Sequence, residues 1–162
     1  MKFLLSEVVF QEIPDEIILA IDITNCPFRC PGCHSPELWE DIGEELTTST
    51  LETLIEENKG ITCVCFMGGD YNPEYLSLLA SFIKVTYPKL KVALYSGSES
   101  FPPVDLSNFD YIKVGPYIQE KGGLDNPNTN QKLFKKEALV EETSGEILYC
   151  WTDITYKLWK SI

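Results

Sequence analysis

The amino-acid sequence predicts a single domain, residues 1–162, of the α/β class with a sheet of parallel strands. Short apolar segments typical of buried strands alternate with segments whose apolar residues recur at helical spacing, which is the pattern of repeated βα units. Each apolar segment runs into a turn that carries glycine or polar residues. The chain is long enough for a substantial core but short for a complete eight-stranded α/β barrel.

The first half of the chain predicts two strands separated by a helix. Ile17 to Ile23 is a compact apolar run, as in a buried strand, and a cysteine-rich loop follows it directly. A helix is predicted over Thr48 to Asn58, because Thr47 to Ser49 offer capping hydroxyls and Gly60 follows. Ile61 to Met67 is predicted as the second strand.

The second half predicts one more helix and two more strands. Pro73 to Tyr87 is expected to be helical, since proline suits a first turn and Pro88 stands just beyond the end. Lys91 to Tyr95 and Tyr111 to Val114 are the expected strands. The remaining predictions are a loop over Glu120 to Asn130, a hairpin over Lys132 to Tyr149 and a helical turn over Ile154 to Trp159.

The four predicted strands end at residues that suit a ligand. The endings are the cysteine loop, Gly68-Gly69-Asp70, Ser96-Gly97 and Lys113-Val114-Gly115. In parallel α/β folds the ligand site lies at the carboxyl ends of the strands. Any one ending is also compatible with an ordinary turn. The four together predict one shared site.

The cysteine loop contains three thiols in the spacing C-x3-C-x2-C, at Cys26, Cys30 and Cys33. Three thiolates can bind three irons of a 4Fe-4S cluster and leave the fourth iron open for chemistry. A structural zinc site that adds His34 is the main alternative, although zinc sites usually pair two separated knuckles. A redox disulfide is a further alternative, but it leaves one thiol unexplained.

Composition restricts the classes of partner and location. The net charge is −12 and the chain has a single arginine, Arg29, so nucleic-acid binding is not expected. No apolar run approaches a membrane span, and an acid interrupts the N-terminus before a signal-peptide core forms, so we expect a cytoplasmic protein. Cys63, Cys65 and Cys150 are expected to pack as small apolar side chains.

Several blocks of sequence, in this order, resemble the radical S-adenosylmethionine superfamily, and within it the activating proteins of anaerobic ribonucleoside-triphosphate reductase. The cysteine motif indicates the superfamily, and the later blocks indicate the subfamily. The resemblance covers about residues 3–160. The blocks are CPFRCPGCHSPELW at Cys26 to Trp39, MGGD at Met67 to Asp70, YSG at Tyr95 to Gly97, DYIKVGPY at Asp110 to Tyr117, and Gly122-Gly123-Leu124 with Thr129-Asn130-Gln131.

The resemblance implies two cofactors and their ligands. A 4Fe-4S cluster on Cys26, Cys30 and Cys33 would reductively cleave S-adenosylmethionine, with no further catalytic residue. Ordinary alternatives are a turn for the two glycines of MGGD, a turn hydroxyl for Ser96 and a solvated side chain for Lys113. The implied contacts to S-adenosylmethionine come from Gly32, Cys33, His34, Gly68, Gly69, Asp70, Ser96 and Lys113.

The resemblance also implies a fold and partners. It implies a curtailed, TIM-like βα barrel that generates a glycyl radical on the anaerobic reductase, with a reductant such as reduced flavodoxin. A homodimer within a larger complex is a further implication. Arg29 either binds the reductase or neutralises Asp41 and its neighbours, and Trp39, Trp151 and Trp159 are expected to pack in the core or a lid. Another small radical enzyme, such as a pyruvate formate-lyase activase or a deazapurine-forming enzyme, and a non-catalytic zinc-binding interaction module remain alternatives.

Overall fold

The computed structural model describes residues 1–140 and 147–159. Within them the chain forms one mixed sheet of eight strands and two α-helices. The helices are α1 (Thr48–Glu57) and α2 (Pro73–Thr86), and short 3-10 segments cover Pro36–Trp39, Leu106–Asn108 and Thr155–Leu158. The strands are β1 (Lys2–Val9), β2 (Ile18–Ile23), β3 (Glu44–Glu45), β4 (Cys63–Met67), β5 (Lys91–Tyr95), β6 (Tyr111–Val114), β7 (Lys132–Val140) and β8 (Ile147–Asp153). Among these described residues no helix combines the length and the apolarity that a membrane span requires.

The sheet has a parallel centre and antiparallel flanks. Its order is β3-β1-β2-β4-β5-β6-β7-β8, and the strands β2, β4, β5 and β6 run parallel. On one side β1 pairs antiparallel with both β2 and β3, and on the other β7 pairs antiparallel with β6 and β8. These pairings leave the sheet open between β3 and β8, and the curtailed barrel stays a prediction.

The central elements confirm the predicted pattern, with ends that differ by at most two residues. The Thr47 hydroxyl caps α1 by accepting a hydrogen bond from the Thr50 amide at 3.1 Å, as the sequence predicts. Asn72 does the same for α2 through the Tyr75 amide, also at 3.1 Å. The predicted C-terminal hairpin is present as the antiparallel pair β7 and β8, although β8 continues to Asp153, four residues beyond the predicted end. Residues 141–146 lie outside the described residues.

The sequence analysis missed β1 and β3. A register shift between Phe3 and Leu5 interrupts the alternation of β1, so both Leu4 and Leu5 remain more than 40% exposed. A strand with a bulge and exposed leucines lacks the period of two that identifies a half-buried strand. The short β3 consists of two exposed glutamates, and its pairing with β1 defines it as a strand.

Alternate residues of the parallel strands face two apolar layers. The buried Cys63 and Cys65 belong to the smaller layer, and burial raises the pKa of both thiols, so they pack as neutral apolar groups as predicted. Cys150 differs from that prediction, because it is only half-buried in β8 and belongs to neither layer. The larger layer packs against α1 and α2 and includes Leu19, Ile21, Ile23, Val64, Phe66, Val92, Leu94, Ile112 and Val114.

A buried carboxylate joins the amino ends of the four parallel strands. Glu16, just before β2, accepts hydrogen bonds from the Lys91 ammonium at the start of β5 and from the Tyr111 hydroxyl at the start of β6, the latter at 2.6 Å. Its second oxygen accepts a bond of 2.6 Å from Thr62, just before β4. Burial alone raises the pKa of Glu16, but the bonds from Lys91, Thr62 and Tyr111 outweigh it and hold the pKa below its usual value.

We expect Glu16→Gln to destabilise the fold in a pH-dependent way. The pKa of Glu16 is lowered from 4.5 in the folded chain, so its ionised form contributes stability above that value and loses the contribution as the pH falls through the lowered pKa. The substitution should reduce the free energy of unfolding by about 1–3 kcal/mol at pH 7, because it weakens three buried bonds to a charged acceptor. Urea denaturation at pH 7 and below pH 4 measures the difference.

The exposed Glu57→Gln is the matched control, since Glu57 lies at the end of α1 on the surface. It should leave the unfolding free energy within about 0.5 kcal/mol of wild type. An effect of Glu16→Gln that stays constant or grows towards acid pH would contradict the role given to the Glu16 charge.

Candidate functional site

A cavity of about 160 Å³ lies at the carboxyl ends of β2, β4, β5 and β6. Two groups of the predicted site residues line it together. One is the set of three cysteines of the loop after β2, Cys26, Cys30 and Cys33. The other comes from the next three strand ends and comprises Gly68, Asp70, Ser96 and Lys113.

The cysteine loop is an irregular segment that turns its three thiols to one cavity. All three cysteines are free and half-buried. The Cys33 amide donates to the Cys30 carbonyl at 3.0 Å, which makes a tight turn around Pro31 and Gly32. Arg29 adopts a positive φ of 46°, a conformation that is uncommon outside glycine and reverses the chain before Cys30.

The loop is closed by the segment that follows it. The Cys26 amide donates to the Leu38 carbonyl at 2.9 Å, and the Asn25 amide donates to the Glu40 carbonyl at 3.0 Å. These two bonds bring the 3-10 segment Pro36–Trp39 back beside the first cysteine. The position of Trp39 is thus coupled to that of Cys26.

The loop also rests on the turn after β5. A Cβ atom added at Gly97 would lie 2.4 Å from Cδ2 of the Phe28 ring. Any side chain at position 97 would therefore require the Phe28 ring to shift from its place against the turn. This contact joins the cysteine loop to the strand end that carries Ser96.

Three polar side chains link the ends of β4, β5 and β6. The Ser96 hydroxyl donates a short hydrogen bond to the Asp70 carboxylate. The Lys113 ammonium donates to the carbonyls of Ser96 at 3.2 Å and Gly115 at 2.6 Å. Gly68 precedes Asp70 with a φ of +108°, a conformation that side chains rarely adopt. The network holds one carboxylate and one ammonium group at the cavity.

Burial shifts both charged groups of this network towards their neutral forms. The pKa of Asp70 is raised by burial, an effect that hydrogen bonds from Ser96 and from the Gly97 amide partly offset. Burial lowers the pKa of Lys113 to about 8, although the nearby Cys30, Asp70 and Cys26 favour its charged form. Lys113 therefore remains mostly cationic at pH 7. A ligand bound in the cavity could contact Lys113 and its polar neighbours at the same time.

Three predicted ligand contacts lie outside the lining of the cavity. Gly69 packs on α2, where an added Cβ would be 2.9 Å from Leu76, and at Gly32 an added Cβ would be 2.7 Å from the Gln119 side chain. The His34 ring faces Tyr117, whose hydroxyl lies 3.2 Å from Nε2. Their contact with S-adenosylmethionine stays a prediction.

Several lining residues were not among the predicted site residues. They include Trp39, Tyr117 and Gln131, of which Trp39 was expected to pack in the core or a lid. The Trp39 indole nitrogen is buried and has no hydrogen-bond partner within residues 1–140 and 147–159. A buried donor without a partner costs about 1–3 kcal/mol, and such groups are rare. In the sequence, the position of Trp39 six residues after the last cysteine is the feature that could have identified it as a site residue.

The donor set fits an iron–sulfur cluster. Three free thiols line one cavity, and a cluster presents a separate iron to each of them. In the described ranges no group of three or more His, Cys, Asp or Glu side chains is placed to hold a single metal ion. Arg29 is exposed beside the thiols, and Asp41 forms its ion pair with Lys2 at 3.3 Å rather than with Arg29.

One comparison with known proteins gives a match. A family model described as a 4Fe-4S single cluster domain matches residues 17–118, which is more than half of the chain. The matched region runs from the start of β2 to just beyond β6 and includes all three loop cysteines. Comparison with curated proteins and with solved structures gives no match.

We expect Gly97→Ala to impair cofactor loading. The added methyl group would overlap the Phe28 ring, so this ring must shift, and we expect the cysteine loop that carries it to be displaced from the end of β5. Iron per chain after anaerobic reconstitution should fall at least twofold, while the far-UV circular dichroism spectrum is retained.

Gly123→Ala is the matched control, because the nearest contact of its added Cβ is an ordinary 3.6 Å from Asp125. It should load iron like the wild type. Full iron loading in Gly97→Ala would show that the Phe28–Gly97 contact does not position the loop.

Proposed function

The chain belongs to the 4Fe-4S single cluster domain family, and on this premise we propose that it is a radical S-adenosylmethionine enzyme that generates a glycyl radical on anaerobic ribonucleoside-triphosphate reductase. One observation carries the proposal. The three thiols suited to a cluster line the same cavity as the Asp70–Ser96–Lys113 network, which suits an amino-acid-like ligand. Cluster and ligand sites that share one cavity are what reductive cleavage of S-adenosylmethionine requires.

Cys26, Cys30 and Cys33 are the proposed cluster ligands. When bound and reduced, the cluster supplies the electron that cleaves the S–C5′ bond of S-adenosylmethionine. The chain's own contribution is to hold the three thiolates in a loop closed by the Cys26–Leu38 hydrogen bond. These three thiolates would hold the cluster and would leave it one iron without a protein ligand, to which the methionyl group could bind.

Asp70 is the proposed partner of the methionyl ammonium group. Its carboxylate is oriented by the Ser96 hydroxyl and the Gly97 amide, so little further ordering is needed when a cation binds. A cationic ligand would also favour the ionised carboxylate, which burial disfavours in the free chain. Charge-assisted hydrogen bonds of this kind are stronger than neutral ones.

Lys113 is the proposed partner of the methionyl carboxylate. Its ammonium group has three N–H donors, and two of them are used by the carbonyls of Ser96 and Gly115. The third is available to an anionic ligand in the same cavity. Asp70 and Lys113 thus present opposite charges that match the two charged groups of an amino acid.

The protein partner is proposed from the resemblance of the strand-end blocks. The cysteine loop supports a macromolecular partner, because Phe28 and Arg29 are exposed beside the cavity. A reductant such as reduced flavodoxin would supply the electron, and a homodimer within the complex with the reductase completes the proposal.

Radical transfer is the direct test of the function. The protein is reconstituted with iron and sulfide without oxygen and mixed with S-adenosylmethionine, reduced flavodoxin and a candidate anaerobic reductase. We expect a glycyl doublet in the EPR spectrum and formation of 5′-deoxyadenosine, both absent without S-adenosylmethionine. An iron-loaded protein that gives neither signal would refute the mechanism, and 5′-deoxyadenosine without the doublet would refute the partner.

Cys30→Ala tests the cluster ligands within the same assay. We expect loss of the cluster absorbance and of the glycyl doublet, because two thiolates do not hold the cluster. Cys150→Ala is the matched control, since Cys150 lies in β8 outside the cavity, and it should retain both signals. Retained activity in Cys30→Ala would refute the assignment of ligands.

Asp70→Asn tests the ligand site separately from the cluster. Loss of one charge-assisted hydrogen bond costs about 1.5–3 kcal/mol, so the affinity for S-adenosylmethionine should fall by about tenfold to 150-fold. Iron content should be unchanged, and calorimetry on the reconstituted protein measures the affinity. The exposed Glu99→Gln, three residues after Ser96, should bind as the wild type does. Equal affinity in Asp70→Asn would exclude Asp70 as the ammonium partner.

A further inference from the structure

Trp39 lines the cavity that contains the three thiols. Its indole N–H is a buried donor that has no acceptor among residues 1–140 and 147–159. Buried polar groups are normally hydrogen-bonded, so an isolated donor on a residue that lines a cofactor cavity suggests an acceptor on the cofactor. Trp151, by contrast, packs edge-on against Phe101 away from this cavity, with ring centroids 5.2 Å apart.

Backbone hydrogen bonds place the segment that carries Trp39 beside the first cysteine. Trp39 ends the 3-10 segment, and its neighbours Leu38 and Glu40 accept the amide hydrogen bonds of Cys26 and Asn25. The backbone of Trp39 is thereby tied to the loop after β2, whereas Ser96 directly follows β5 and Lys113 lies in β6. The Asp70 carboxylate is already engaged by Ser96 and by backbone amides.

We propose that Trp39 donates its indole N–H to a sulfur of the bound 4Fe-4S cluster and thereby raises the reduction potential of the cluster. The acceptor is a sulfur of the cluster, either the thiolate of Cys26 or an inorganic sulfide. Reduction adds negative charge to the sulfurs, so a donor stabilises the reduced state more than the oxidised state. This inference rests on the proposed ligation by Cys26, Cys30 and Cys33, and it does not depend on the glycyl radical.

Trp39→Phe tests the inference because it removes the N–H and keeps an aromatic ring. In the reconstituted protein without S-adenosylmethionine, we expect a more negative midpoint potential in an EPR-monitored redox titration. Trp151→Phe is the matched control and should titrate as the wild type does. Equal potentials in Trp39→Phe and wild type would overturn the proposal.

Affinity for S-adenosylmethionine distinguishes the cluster from the other ligand as acceptor. We expect the affinity of Trp39→Phe to stay within twofold of the wild type. An unchanged potential together with at least tenfold weaker binding would overturn the proposal and assign the donor to S-adenosylmethionine.

A measurement on the wild-type holoprotein covers the case in which Trp39→Phe does not load iron. The tryptophan indoles are labelled with ¹⁵N, and the reduced cluster is measured by electron–nuclear double resonance. We expect a ¹⁵N coupling in the wild type, and the Trp151→Phe variant should retain it. Absence of the coupling in an iron-loaded wild type would overturn this inference and leave the proposed function intact. A wild-type protein that binds no iron would overturn the proposed function itself.

Discussion

The alignment of the four parallel strands is the constraint on which the site depends, and Glu16 holds it at one end. Its buried carboxylate, just before β2, binds Thr62 just before β4 and the first residues of β5 and β6, Lys91 and Tyr111. Strands that start at one level and run parallel over four to six residues also end near one level. The cysteine loop and the side chains at the other strand ends are brought to one cavity for this reason.

The site contains charged groups at buried and half-buried positions, where burial favours the neutral form. Burial shifts the pKa values of Asp70 and Lys113 towards the neutral forms. Apolar residues at these two positions would pack at lower cost, yet the chain has charged residues there. The Trp39 indole nitrogen adds a buried donor that has no hydrogen-bond partner among the described residues. Unfavourable burial of polar groups is expected at a ligand site and not in an apolar core.

Local patterns in the sequence identified the centre of the fold, whereas the flanks depended on long-range pairing. The caps of α1 and α2 act over three residues, so Thr47 and the start of α2 were predictable. β1 has a bulge and exposed leucines, and β3 is defined by pairing with β1 alone, so neither carries a local signal. Cys150 was misassigned for a similar reason, since its apolar neighbours in sequence lie in a strand at the edge of the sheet.

The sequence by itself determined the three cysteines, the four strand endings and the order of the central elements, because each depends on residues that are close along the chain. The tertiary structure decided which of these residues share a cavity. It placed Gly68, Asp70, Ser96 and Lys113 with the thiols and left Gly69 packed on α2. It also showed that Gly97 accommodates Phe28 and that Trp39 lines the same cavity as the thiols, since such contacts arise only when the loop is packed on the assembled sheet.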